Sequence, residues 1–234
     1  LHSWDVSSIT TMEYMFDGAS AFNQDISGWI VSNITNMEYM FNNALAFNKP
    51  LDSWIVSNVK NMQGMFHGTS FNQPLNSWNV SNVTMMYALF AQSPFNQPLD
   101  SWDVSNVTHM SHMFHNSTSF NQNISDWIVS NVTNVDHIFD GATSFNKSIG
   151  DWDISNIKTM KAMFSGATSY NGSMSDWDVS NVTDMDSMFL GATSFNKSIG
   201  DWVVSNVTNM RSMFNGATSF NKSLGEWDTT NVKN

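Results

Sequence analysis

Large apolar residues in this chain return to the same few positions every 24 or 25 residues. Tryptophans stand at 4, 29, 54, 78, 102, 127, 152, 177, 202 and 227, and none lies outside this column. With each tryptophan counted as zero, apolar residues recur at −3, 0, +2, +5, +8, +11, +12 and +18. In the second copy these are Ile26, Trp29, Val31, Ile34, Met37, Met40, Phe41 and Phe47. The phenylalanines form two columns, Phe16 to Phe214 and Phe22 to Phe220, with Tyr170 in place of one. Large aromatics confined to fixed phases mark a tandem repeat in which every copy packs alike.

Two periodicities alternate within each copy. From Ile26 to Ser32 the pattern has period two, with Trp29 and Val31 on one side and Gly28, Ile30 and Ser32 on the other. This predicts a short strand. From Ile34 onward the spacing is three and four, through Met37, Met40, Phe41 and Ala44, which predicts one face of a short helix. Thr35 with Glu38, Thr10 with Glu13 and Thr183 with Asp186 read as capping boxes at its start. At +14 stand Gly18, Asn43, Gly68, Asn116, Gly141, Gly166, Gly191 and Gly216, residues that accept the left-handed conformation closing a helix. The interval from Phe66 to Phe71, and that from Phe90 to Phe95, is one residue shorter than in other copies, so the deletion falls in a return loop.

The expected architecture is therefore an α/β repeat solenoid. It stacks ten 24–25-residue coils, each a short parallel strand plus a short helix and return loop, over residues 1–234 as a single domain. Such coils bury their apolar faces only against neighbours, and Trp54, Trp78 and Trp102 are expected to form one buried column. Leu1 falls at −3 of the first coil and Asn234 at +7 of the last, with no departure from the repeat to cap either end. The chain is accordingly expected to be an uncapped segment of a longer protein.

Composition narrows the partners. A formal charge of −11 and a pI near 4.6 argue against nucleic acid, which needs a basic footprint. No run of eighteen apolar residues occurs, so membrane insertion of this segment is not expected. With no cysteine, disulfides and thiolate metal sites are excluded. The methionines at +8 and +11 read as adaptable core fillers.

The unit Trp177-Asp178-Val179-Ser180-Asn181-Val182-Thr183-Asp184-Met185, followed by Met188-Phe189 and Gly191-Ala192-Thr193-Ser194-Phe195-Asn196, resembles the BspA-like surface proteins classed with leucine-rich repeats. The resemblance covers the whole chain. It implies a leucine-rich-repeat-like stack in an extracellular or cell-surface protein with an adhesive, non-catalytic role. Asn58 arrives one residue earlier than the ladder asparagine of ordinary leucine-rich repeats.

Candidate chemistry lies on the outward positions. At −1 stand Asp126, Asp151, Asp176, Asp201 and Glu226, and at +1 Asp153, Asp178 and Asp228. Asp151, Asp153, Asp176, Asp178 and Asp201 are candidate calcium ligands, because a hard cation relieves stacked carboxylates. The plainer alternative is a hydrated acidic face that keeps the solenoid soluble. Ile30 and Ile55 at +1 expose apolar surface on adjacent coils, so these two with Asp151, Asp153, Asp176 and Asp178 form the candidate binding face. The acids do not make a glycosidase, since a catalytic pair needs two unlike environments and a ladder repeats one.

His109, His112 and His115 fall on the predicted helix of one coil, with His137 one coil on in the column of His112. Stacked imidazoles there could hold zinc with Asp136 nearby, against the commoner case of solvated histidines. Asparagine sequons recur at +4 and after the second phenylalanine, but the asparagine persists where the sequon is lost, as at Asn58, Asn156 and Asn231. Both columns therefore read as structural, in local turn hydrogen bonds. Asn116 and Asn123, in loop positions, are the better glycosylation candidates. No cofactor is required by this reading. The expected function is a recognition or adhesion module, not an enzyme, with a protein or glycan ligand. The alternative is a structural segment of a long, glycosylated surface fibre built from neighbouring copies end to end.

Overall fold

A computed structural model describes residues 4–234; Leu1, at −3 of the first coil, lies outside them. The chain winds into stacked coils in the expected register, but their content differs from the expectation. Among the described residues there is no helix, and regular pairing is limited to one parallel bridge per coil, such as Asn36 with Asn61 and His109 with Asn134. The α/β description is thereby overturned: each coil is a succession of turns.

The segment expected to be helical shows why. In the second coil the N–H groups of Met37, Tyr39, Phe41 and Asn43 donate to Asn61, Gln63, Met65 and His67 of the next coil, at 2.8–3.1 Å. The intervening N–H groups of Met40, Asn42 and Ala44 close turns onto Met37, Tyr39 and Phe41, at 2.9–3.2 Å. Alternate donors are thus spent between coils and the others on bonds to the third residue back. A helix needs bonds to the fourth residue back, and no N–H in this stretch remains for one. The backbone enforces the same outcome. Residues at +10 and +14 have positive φ, Tyr39 at 50° and Asn43 at 54°, Gly64 at 58° and Gly68 at 66°. A turn whose third residue is left-handed accommodates this, whereas a right-handed helix does not. The left-handed residues foreseen at +14 are present, closing turns instead of helices.

The capping boxes do not form either. The Thr35 hydroxyl donates to the Thr10 carbonyl one coil back, at 3.3 Å, and the Glu38 N–H is taken by Asn36 Oδ1 at 2.9 Å. The residue at +7, not +6, therefore organises the turn.

The expected strand is also corrected. Its parity holds, with Trp29 and Val31 buried and Gly28 and Ile30 exposed. Yet among the described residues no backbone N–H from −2 to +3 reaches the backbone of a neighbouring coil. Side chains supply the rungs there. Trp54 Nε1 donates to the Ile26 carbonyl at 3.2 Å and Trp78 Nε1 to the Leu51 carbonyl at 2.9 Å, and the pattern continues to Trp227 on Ile199. Asn58 Nδ2 donates to the Ser32 carbonyl at 2.8 Å, as do its +4 equivalents from Asn33 to Asn231. After the second phenylalanine, each asparagine Oδ1 accepts the N–H of the equivalent residue one coil on, as in Asn48 to Asn23 at 3.0 Å. Both asparagine columns are structural. Their partners are neighbouring coils, not the local turn expected from sequence.

The core is a set of parallel aromatic columns. Trp54 and Trp78 stack with ring centroids 6.5 Å apart and planes 2° from parallel, and Trp102 is buried in the same column. The +12 phenylalanines stack from Phe16 to Phe214 at 5.6–5.9 Å. Each also meets its partner within the coil, as Phe41 meets Phe47 at 4.0 Å. The methionines fill the remaining core space, with Met37, Met40, Met62 and Met65 wholly buried. In the two short coils a hydroxyl compensates for the missing residue. Thr69 Oγ1 donates to the Phe66 carbonyl at 2.8 Å and accepts the Phe71 N–H at 3.3 Å, and Ser93 does the same between Phe90 and Phe95. That role accounts for two of the four buried polar residues among those described, the others being Ser111 and Ser117.

Two stability predictions follow from this packing. Trp102→Ala should cost about 3–5 kcal/mol in chemical denaturation, the usual cost of a large aromatic deletion; a loss under about 0.5 kcal/mol would contradict its place in the core. Gly191 has φ +67° and room for a methyl group, whereas at Gly64, φ +58°, a methyl group would fall into the Tyr39 ring. Gly191→Ala should therefore cost about 1–2 kcal/mol from backbone conformation alone, and Gly64→Ala more. The reverse order would refute the turn geometry.

Candidate functional site

The extended stretch from −2 to +3 forms one side of the stack. Its alternate side chains face inward to anchor it, and the intervening ones face solvent. Shallow depressions open between successive coils along it. One is lined by Ser27, Gly28, Ile30, Ser32, Ser53 and Ile55, another by Ser125, Asp126, Ile128, Ser130, Asp151 and Asp153. The floor is the same in each, an indole edge with the following valine, while the rim changes from coil to coil.

Those changes divide the groove into two regions. From coils two to five the −1 position holds Gly28, Ser53, Ser77 and Ser101; from coils six to ten it holds Asp126, Asp151, Asp176, Asp201 and Glu226. In the first region Ile30 and Ile55 stand in solvent on adjacent coils, 62% and 63% exposed. In the second, Ile128 and Val203 are similarly outward but have carboxylates as neighbours. The structure thus places all the candidate binding residues on one face: Ile30 and Ile55 toward one end, and Asp151, Asp153, Asp176 and Asp178 toward the other.

The two acidic columns differ in their local bonding. At +1, Asp153 Oδ1 accepts both the N–H and the hydroxyl of Ser155, at 3.1 and 2.7 Å, and Asp178 Oδ1 accepts the Ser180 N–H at 3.0 Å. Hydrogen bonds from Ser155 and Ser180 lower the pKa of these two carboxyls below the usual range. Each +1 aspartate therefore has a local task in shaping its turn. Among the described residues no three carboxylates of this face converge on a common point, so the geometry adds no support to calcium at Asp151, Asp153, Asp176, Asp178 or Asp201.

The histidines gather on a different segment. His112 and His137, both at +10, stack with ring centroids 4.6 Å apart. Asp140, at +13, holds His137 Nδ1 at 2.9 Å and lies 3.4 Å from His115 Nδ1. Asp136, the carboxylate expected from sequence, turns elsewhere: it accepts the Thr159 hydroxyl at 2.7 Å and the Lys161 N–H at 2.9 Å. His109 lies in the bridge column, with its Nδ1 2.8 Å from the Thr108 hydroxyl. Burial alone would raise the Asp140 carboxyl, but its polar neighbours His115, His137 and Ser165 outweigh it and hold the group well below the ordinary range. Burial, reinforced by the neighbouring His137 and His115, pushes His112 down to about 4. Adjacency along the chain points from His137 to Asp136 and not to Asp140. Comparison by column would have found it, since His115 and Asp140 share the +13 position of adjacent coils.

The glycosylation candidates Asn116 and Asn123 are both exposed. Asn116 is itself left-handed, with φ 54°, and its amide nitrogen lies 3.0 Å from His115 Nε2. Asn123 Oδ1 accepts the Ser125 N–H at 3.3 Å.

No curated protein sequence matches this chain significantly. Among solved structures, a leucine-rich repeat protein from Bacteroides ovatus is similar at 14% identity with a TM-score of 0.43, over 91% of this chain and 69% of that one. The model of a family described as "Mycoplasma protein of unknown function, DUF285" matches residues 1–94, 69–171 and 145–234, and so spans every coil. With matches that overlap from end to end on a repeat whose coils share one set of columns, this tandem-repeat chain belongs to the DUF285 family.

Proposed function

We propose that this chain is a non-catalytic recognition or adhesion module of the BspA-like kind, displayed at the cell surface, whose ligand is a protein or glycan bound along the −2 to +3 groove. The observation that supports this reading is the contrast between columns. Inward positions barely vary, while the outward −1 position changes in blocks, from Gly28, Ser53, Ser77 and Ser101 to Asp126, Asp151, Asp176, Asp201 and Glu226, and the +1 position varies between apolar residues, Asn and Asp along the whole face. A uniform fibre segment has no use for such blocks. A binding surface does, because specificity comes from local differences in shape and charge. The shallow, repeated depressions suit an extended ligand crossing several coils better than a small substrate, which calls for one concave pocket. The acids of the groove recur at −1 and +1 in the same two settings from coil to coil, which sets no single pair apart for acid–base work.

Immobilised glycans and surface proteins offered to the purified chain test this. Binding should fall at least about tenfold, or about 1.4 kcal/mol, in Ile30→Asp/Ile55→Asp or in Asp151→Asn/Asp153→Asn/Asp176→Asn/Asp178→Asn. Arg211→Ala, on the turn segment, should bind normally. A ligand held equally by both groove variants would place recognition elsewhere. Concentration-dependent end-to-end association in sedimentation, with no ligand retained, would favour the fibre segment.

A further inference from the structure

We infer that His115, His137 and Asp140 form a binding site for a borderline divalent cation of the Zn2+ class, joining the fifth and sixth coils on the turn segment, away from the groove.

The ligand atoms of these three residues all lie within 4.8 Å of one another, and they are the one such set among the described residues. The His115 Nδ1 to Asp140 Oδ2 separation is 3.4 Å and the His137 Nδ1 to Asp140 Oδ2 separation 2.9 Å. Tetrahedral bonds of about 2.0 Å put ligand atoms about 3.3 Å apart, so small side-chain rotations complete the site. Two imidazole nitrogens and one carboxylate oxygen are a borderline set that suits Zn2+, Co2+ or Ni2+, and not calcium, which takes six or more oxygens.

The surroundings fit a metal centre. All three side chains are partly sheltered, about a fifth to a quarter exposed. His115 Nδ1 is buried and lacks a hydrogen bond of good geometry, which leaves a lone pair for a better partner. The His112 ring lies against the His137 ring at 4.6 Å and edge-on to His115 at 5.6 Å, and so fixes both orientations. Its own Nδ1 is also buried without a partner. An imidazole that binds metal through Nδ1 carries its proton on Nε2, and the partner of that proton sets the tautomer. For His115 the partner is Asn116, 3.0 Å from Nε2; rotation of the amide presents its oxygen to the proton. The backbone holds these residues in place: the His112 N–H donates to the Asp136 carbonyl at 2.9 Å and the Phe114 N–H to the Ile138 carbonyl at 3.0 Å, so the two coils are already locked in register.

Calorimetry on the metal-free chain with Zn2+, and visible absorption with Co2+, test the site. One equivalent should saturate it, and Co2+ should show the intense d–d bands of tetrahedral coordination. His115→Ala, His137→Ala and Asp140→Asn should each weaken binding more than about tenfold, the lower end of what losing even an outer partner of a ligand costs. His67→Ala and His109→Ala should bind as the parent does. Near-ultraviolet circular dichroism of the tryptophan column checks that each variant is folded, and the Co2+ spectrum of the unaltered chain stands independently of any variant. Absence of saturable one-to-one binding, only the weak bands of hexahydrated Co2+, or unchanged affinity in folded His137→Ala would overturn the assignment.

Discussion

Every coil in this molecule is completed by its neighbours. A backbone buried on one side must pair its N–H and C=O groups, and here almost none of that pairing forms a regular element inside a coil. The turn segment sends alternate N–H groups forward to the next coil, while the +6 amide, the tryptophan indoles and the +4 asparagines reach backward. The aromatic columns depend on this arrangement, because ring stacking at 5.6–6.5 Å needs coils held at constant height and rotation. The left-handed residues at +10 and +14 depend on it too: their strain is tolerable only where surrounding bonds over-determine the conformation.

The columns, the coil boundaries and the inward face could all be read from the sequence, since they rest on hydrophobic phase alone. The helix could not be distinguished from what is present. Spacings of three and four put Met37, Met40, Phe41 and Ala44 on one face both in a helix and in a run of three-residue turns. Glycine at +14 announced a left-handed residue, but at +10 the same conformation is carried by Tyr14, Tyr39, Ala88 and His112, whose side chains announce nothing. Tertiary hydrogen bonding, not local preference, sets φ there. The strand failed for a related reason. Period two reports which way side chains point, and they point as expected, but it does not report whether the backbone has a partner. The paired residue lies at +7, where Asn36, Met85 and His109 share no chemical character.

The candidate sites divide along the same line. Residues exposed by parity, such as Ile30, Ile55 and the −1 acids, could be placed on one face without coordinates. A constellation that crosses coils requires knowing which positions become neighbours, and adjacent residues in the chain are poor guides. Asp136 lies one residue from His137 yet bonds away from it, whereas Asp140 meets both His137 and His115. In a stacked repeat, equal phase in successive copies predicts proximity better than closeness along the chain.

Among the described residues the forward donors and backward rungs recur in nearly every coil, the +8 N–H groups of Met110 and Val135 excepted, so one coil can follow another on the same set of joints. Nothing in the stack counts its copies. Duplication or loss of a complete 24- or 25-residue unit leaves every remaining rung intact, and even a one-residue change is absorbed where Thr69 and Ser93 bridge the shortened bend. Near-identical neighbouring copies are also the condition under which genetic recombination slips by whole units. The architecture therefore makes length a freely varying trait, and lets new outward surfaces arise by reshuffling coils that already fold together.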